Sequence, residues 1–231
     1  MRVMFLNFEF GLAATKGFRQ MLYYRRYFSY PKIISRLNDF IEKENIDVIG
    51  LVEVNFPRQA DNFKKITGFN CVGEPIHKNM FINQGNLFLS RYPIVDSEVI
   101  KLPHQGQKRG VLRAKIKTSS GPIQFFITHL GLRKKERFEQ IKLLNEICSE
   151  IGAPFIVMGD FNCSDWRKEL EPLLGNPRLK HIDLEPTYPS WKPRKCFDHV
   201  FISKDLTAKA KVYGEEKFSD HLAIVSEIDY V

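Results

Sequence analysis

Short apolar runs recur along the chain at 3–6, 48–52, 87–89, 123–127, 155–158 and 200–202, each bounded by polar or turn residues. Runs of this length, rich in β-branched and aromatic side chains, predict buried strands. Between them lie helical spacings: Ile33, Ile34, Leu37, Phe40 and Ile41 after Pro31, and Phe138, Ile141, Leu144, Ile147 and Ile151 after a basic stretch. These predict two helices that flank sheet layers with an apolar face toward the core. Residues 111–117 alternate instead, with Leu112, Ala114 and Ile116 opposing Val111, Arg113, Lys115 and Lys117. That pattern predicts an antiparallel strand with one wet face. The turn chemistry of Ser119, Ser120, Gly121 and Pro122 joins it to 123–128 as a hairpin.

Several buried runs end in side chains that a core strand would not carry. Asn7 closes the first, Glu53 sits within 46–54, His129 follows 125–128, and Asp160 and Asn162 follow 155–159. A buried carboxylate demands a partner, and a hard cation is an efficient one. With oxygen ligands only, magnesium or manganese suits the set better than zinc. Asp160 and Asn162 point the same way from an extended chain, so the carboxylate can activate a water while the amide donates to a phosphoryl oxygen. Taken alone, the pair also reads as an Asx turn at a strand end. His221 lies next to Asp220, and Asp198 opens the run 200–202. An aspartate that holds a histidine in one tautomer positions a general base or a phosphate-binding imidazolium. His199, adjacent to Asp198, faces the other side of its strand and reads as structural.

Composition narrows the picture in fewer places. The chain has 231 residues, 43% hydrophobic and 27% charged, with no repeat, linker or low-complexity stretch, so one domain over 1–231 is expected. Cys71, Cys148, Cys163 and Cys196 form no CxxC pair, which argues against a zinc knuckle or a disulfide framework. The apolar start of the chain meets Glu9 too early for a signal-peptide core, and no run approaches the ~20 residues of a membrane helix; a cytoplasmic location is the expectation. The net charge of +8 favours a polyanionic partner without choosing among nucleic acid, membrane surface and phosphorylated small molecule. Residues 8–30 interleave aromatics with Lys16, Arg19, Arg25 and Arg26, which suits base stacking with phosphate contact, a lipid surface, or simple packing on the core. No GxSxG, GxxxxGK[ST] or HExxH occurs, which excludes the serine-hydrolase, P-loop and zincin arrangements.

In this order, Asn7, Glu53, His129, Asp160, Asn162, Asp198, Asp220 and His221 resemble the pattern of the endonuclease/exonuclease/phosphatase superfamily over nearly the whole chain, and a compact bacterial branch of mostly unassigned activity in particular. The resemblance implies a deoxyribonuclease I-like α/β fold: a four-layer sandwich of two mixed β-sheets face to face, with helices outside and the active site at one edge. It implies that Glu53 binds magnesium, with manganese as a substitute, and that Asn7 and Asp220 lie close to the metal or the phosphate. Asp160 would activate the attacking water, and Asn162 would hold that water or a phosphoryl oxygen. His221, oriented by Asp198, would contact the scissile phosphate, and His129 would stabilise developing charge. Asn86 matches the family's strand beside the site as a phosphate contact, or else initiates its strand. Trp191, within 186–193, either stacks on substrate or braces its loop. Glu9 resembles an acidic neighbour of the metal in abasic-site endonucleases. Val52 departs from the family, which usually has Gln before the metal-binding Glu.

The leading expectation is therefore a phosphodiesterase or nuclease that hydrolyses DNA or RNA by in-line attack of water. The alternative is a phosphoesterase for membrane lipid headgroups or phosphoinositides. A third reading is a non-catalytic nucleic-acid-binding protein, against which the intact acidic and histidine set argues. No obligate protein partner is inferred.

Overall fold

The computed structural model of the protein describes residues 1–11, 23–78, 80, 83–152 and 154–231, with side chains described for all of these except 23–29. Two six-stranded sheets face each other. The first runs in the order β11 (Leu206–Tyr213), β12 (Ala223–Tyr230), β1 (Arg2–Asn7), β2 (Val48–Asn55), β4 (Asn83–Ser90), β3 (Asn70–Lys78). The second runs β5 (Ile94–Lys101), β6 (Gly110–Thr118), β7 (Gly121–His129), β8 (Phe155–Asp160), β10 (Asp198–Ser203), β9 (Leu179–Ile182). Each sheet holds one parallel pair, β1 with β2 and β7 with β8, and is otherwise antiparallel. A parallel pair needs a crossover, and a long helix supplies it in both cases: α1 (Tyr23–Lys43) and α3 (Lys134–Glu150).

The layering follows from which faces are apolar. Val3, Phe5, Val48 and Phe88 of the first sheet meet Leu112, Phe125, Ile127, Ile156 and Val200 of the second to form the central core. On the outer face of the first sheet, Met4, Leu6 and Leu51 pack against Leu37, Phe40 and Ile41 of α1 and Phe63 of α2 (Arg58–Thr67). On the outer face of the second, Phe126, Val157 and Phe201 pack against Leu144 and Cys148 of α3. Six interior strands, β1, β2, β4, β7, β8 and β10, are thus apolar on both sides, which is why they stand out as continuous runs, whereas interior β6 alternates and interior β12 turns polar toward its end. All four cysteines are free, and no described helix is long and apolar enough to cross a membrane.

The expected strands and both expected helices are present, as is the hairpin between β6 and β7. Leu112, Ala114 and Ile116 are buried and Arg113, Lys115 and Lys117 are not, but Val111, expected on the wet face, is buried in the outer core with Phe126 and Leu144, where α3 covers that end of the sheet. One position departs from the expected helical face: Phe138 is 61% exposed, because Arg137 and Gln140 occupy the inward positions of that turn. Arg137 binds Glu169 and the Leu132 carbonyl, and Gln140 binds Gly131 N and the Pro103 carbonyl. Most of the aromatic and basic stretch 8–30 lies outside the described side chains. Its two ends pack into the fold: Phe8 is fully buried against Phe63, and Tyr30 stacks edge-on against Phe8.

Candidate active site

Strand direction brings the candidate residues to one end of the sandwich. Parallel pairing sets Asn7 beside Val52, one residue before Glu53, and sets His129 beside Asp160. Antiparallel pairing sets Asp198, the first residue of β10, across from Asp160. Asp220 and His221 come from the segment entering β12. A hydrogen bond between catalytic-end side chains joins the two sheets here: Asn7 Nδ2 donates to Asp160 Oδ2 at 3.0 Å.

Asp160 is at the centre, 2% exposed. Its Oδ1 accepts from Asn162 N at 2.9 Å, and its Oδ2, besides the Asn7 bond, lies 3.6 Å from His129 Nε2 and 3.7 Å from His221 Nε2. Gly159 is required just before it, since a Cβ there would lie 2.3 Å from the Thr128 carbonyl oxygen. Burial raises the Asp160 carboxyl to about 6, with the Asp198 charge adding to the rise and His221 opposing it. Such a group can exchange a proton near neutrality, which a general base requires.

The two histidines are held in opposite states. His221 Nδ1 donates to Asp198 Oδ2 at 2.7 Å, and Thr187 Oγ1 donates to the same oxygen. Burial alone would lower the His221 pKa, but Asp198, Asp160 and Asp220 outweigh it and hold the imidazolium up to about 10. Burial, then the Arg109 and His221 charges, press His129 well below its ordinary value. His129 Nδ1 accepts from Arg109 Nη1 at 3.0 Å, which leaves the proton of the neutral ring on Nε2. Tyr188 stacks on the His221 ring at 4.8 Å between centroids.

Glu53 stands on a β-bulge, where the pairing of β2 with β4 shifts between Leu51 and Val54, and its φ of 57° lies in the left-handed region. Asn162 has a φ of 53°. Non-glycine residues reach this region at a cost, and such strain collects at functional sites. At Glu53 the bulge turns the carboxylate toward the second sheet, with Oε1 3.8 Å from His129 Nδ1. Burial raises its pKa to about 7, and the Asp160 and Asp220 charges add to this while Arg109 and His221 oppose it. Asp220 is raised too, chiefly by burial.

Four carboxylates, Glu53, Asp160, Asp198 and Asp220, thus meet two cations, Arg109 and His221. The excess of negative charge, and the raised pKa values it helps to cause, are what a divalent cation would relieve. Asp160, Asp198 and His221 offer ligand atoms within 4.8 Å of one another. The His221–Asp198 hydrogen bond and the protonated state of that ring, however, make this trio a poor cradle. Glu53 and Asp220, whose carboxylates take no positively charged hydrogen-bond donor among the described residues, fit a hard cation better.

The remaining candidates are placed as follows. Asn162 Nδ2 donates to the Leu130 carbonyl, and its Oδ1 takes no hydrogen bond among the described residues. Asn86 Nδ2 donates to the carbonyls of Gly110 and Ile127, so its amide stitches β4 to the second sheet. Trp191 is 37% exposed on a loop anchored to the site through Ser190 N and the Asp220 carbonyl at 2.6 Å. His199 faces away, its Nδ1 3.1 Å from His181 Nε2. Asn7 Oδ1 accepts from Glu9 N at 3.1 Å, which turns the chain directly after β1.

Sequence reasoning missed Arg109. It precedes β6 in a polar loop with no motif to single it out, yet it is only 6% exposed, its Nε has no hydrogen-bond partner among the described residues, and it faces Glu53 and Asp160 electrostatically. It lines a small cavity with His77, Gln84 and His129. A buried guanidinium with a spare donor beside three site residues is arranged to receive an anion. Arg109→Met is expected to lower kcat/KM by about 10²-fold, the scale for losing one charge-stabilising donor. It should also raise the His129 pKa, measurable by NMR titration; unchanged values of both would make Arg109 a packing residue.

Fold and site together define a hydrolase of phosphoester bonds. A sequence model of the Endonuclease/Exonuclease/phosphatase family matches residues 33–221, and the chain belongs to that family. It is 27% identical over 226 residues to uncharacterized protein YbhP of Escherichia coli K12, covering 85% of this chain and 88% of that one. Among solved structures, a mannosyl-6-phosphatase of Bacteroides thetaiotaomicron superposes with a TM-score of 0.80 at 17% identity, all of both chains being covered. TDP2 of D. rerio, complexed with a single-strand DNA product, superposes at 0.78 with 18% identity over 99% of this chain and 98% of that one. These likenesses establish a shared fold.

Proposed function

We propose that the chain, as one catalytic domain over 1–231, is a magnesium-dependent phosphodiesterase that hydrolyses nucleic-acid phosphodiester bonds. The observation that carries the chemistry is Asp160, held by Asn7 and Asn162 N with a protonated His221 on one side and a neutral His129 on the other. Asp160 takes a proton from the water that attacks phosphorus opposite the leaving oxygen. His221 Nε2–H and His129 Nε2–H donate to the non-bridging oxygens, where charge builds up. Asn162 Oδ1 accepts the other hydrogen of the water, and Arg109 binds a further phosphoryl oxygen. The new P–O bond replaces one ester bond, and the products are a phosphomonoester and an alcohol. Glu53, Asp220 and Asn7 would hold the magnesium, which supplies Lewis-acid stabilisation of the phosphoryl oxygens when bound.

Nucleic acid is favoured as substrate by the net charge of +8 and by the exposed Trp191 beside the site. The DNA product bound to the related TDP2 fold lends support. The test is a panel of DNA, RNA, glycerophospholipid and sugar phosphate with magnesium, manganese or EDTA. Metal-dependent cleavage of an oligonucleotide is expected. Cleavage of lipid with none of any oligonucleotide would transfer the site to the headgroup reading, and turnover undiminished by EDTA would remove the metal.

A further inference from the structure

The surface on either side of β8 at its catalytic end carries a feature that the chemistry above does not use. On the β7 side, Leu132 is 74% exposed and Phe138 is 61% exposed, and Arg133, Lys134 and Lys135 between them are exposed as well. On the β10 side, Trp191 stands with Lys192, Arg194 and Lys195, all exposed. Backbone hydrogen bonds tie both segments to the catalytic turn: Leu130 N to the Asp160 carbonyl, and Phe161 N to the Phe197 carbonyl. Two basic, aromatic patches therefore flank Asp160, one on each side.

One of these cations has a partner within the fold, Lys195 Nζ lying 5.1 Å from the Phe197 ring centroid. Among the described residues no carboxylate lies within ion-pair distance of any of the six flanking cations. Arg133, Lys134 and Lys135 also stand at the N-terminal end of α3, where the macrodipole is already positive and cations destabilise the helix. Exposed apolar side chains and unpaired cations that oppose local stability are retained for what binds them. An anionic chain with planar bases complements both: phosphates on the cations, bases on Phe138 and Trp191.

We propose that these flanks are the two arms of a track for a single-stranded polynucleotide that crosses the active site, so that internal phosphodiester bonds are cut. A site specific for chain ends would close one flank, whereas among the described residues both flanks are exposed and cationic. The proposal rests on the nucleic-acid reading above.

Covalently closed single-stranded DNA circles, which have no ends, test it against a linear strand of the same sequence in magnesium. The wild-type protein is expected to cut circle and linear strand at comparable rates. Lys134→Glu/Lys135→Glu and Phe138→Ala should each lose about tenfold in kcat/KM on the circle and far less on a dinucleotide, as stacking and phosphate contacts away from the scissile bond require. The doubly charge-reversed protein should also show a dependence of log kcat/KM on log salt shallower by about 1.4 or more, two single-strand phosphate contacts being lost. All these positions are exposed, and melting curves check that folding is intact. Digestion of the linear strand from one end with the circle untouched would overturn the track while leaving the nucleic-acid reading in place. Cleavage of no nucleic acid, with Phe138-dependent binding to vesicles of anionic phospholipid, would overturn both.

Discussion

Asp160→Asn is expected to lower kcat by about 10³-fold or more, the upper part of the range for losing a positioned base, while substrate binding stays measurable. The reason is that the substituted amide keeps the shape and an acceptor for Asn162 N but cannot take a proton from water. Stability should move the other way. The Asp160 carboxyl has a folded pKa of about 6 against an ordinary 3.8, so its stabilising contribution is complete below pH 3.8 and is lost as pH rises through 6. At pH 8 the metal-free wild-type protein holds this carboxylate ionised at a cost, and the amide removes that cost. Melting of the metal-free variant at pH 8 should therefore equal or exceed wild type, with the difference vanishing toward pH 4. Turnover at the wild-type level would defeat the assignment; lost turnover with a collapsed melting temperature would mean that Asp160 serves the fold instead.

Much of this architecture was legible in the sequence because six interior strands are apolar on both faces. β1, β2, β4, β7, β8 and β10 all lie inside their sheets and all read as continuous runs. β3, β5, β9 and β11, the four sheet edges, did not stand out, and neither did interior β12, whose second half is polar and largely exposed. An edge strand is covered by fewer neighbours, so its pattern mixes exposed and half-buried positions, as in β5 and β11. The site was legible for a related reason: Asn7, Glu53, His129 and Asp160 interrupt or terminate runs that the core would otherwise keep apolar. Arg109 and Phe138 escaped because they break no pattern. An arginine in a polar loop and a phenylalanine at helical spacing both look ordinary. Only the folded arrangement shows the first buried and the second exposed. Asn86 shows the converse, an amide with a plausible chemical role whose donors are bound to two backbone carbonyls.

Glu53→Gln should abolish metal-dependent turnover, by about 10³-fold or more if Glu53 is the principal magnesium ligand, and it should change how magnesium affects melting. Glu53 has a folded pKa of about 7 against an ordinary 4.5, with burial as the main cause. The stabilisation that goes with this shift is therefore complete below pH 4.5 and is lost as pH rises through 7. Asp160 titrates lower, at about 6, whereas His221, raised from 6.5 to about 10, also loses stabilisation as pH rises from 6 to 8, so the Glu53 share of the change is the part that the glutamine variant lacks. Metal-free wild-type protein should be less stable at pH 8 than at pH 6, the Glu53 share being on the order of 1–2 kcal/mol once the fifth of this side chain still open to solvent is allowed for. Magnesium binds the ionised carboxylate, so it should restore the loss at pH 8 and do little at pH 5. The glutamine variant has no charge to relieve: its metal-free melting should be flatter between pH 6 and 8, and magnesium should leave it nearly unmoved. If magnesium raised its melting temperature as much as that of wild type, the ion would be held elsewhere, and the buried trio of Asp160, Asp198 and His221 would be the place to look.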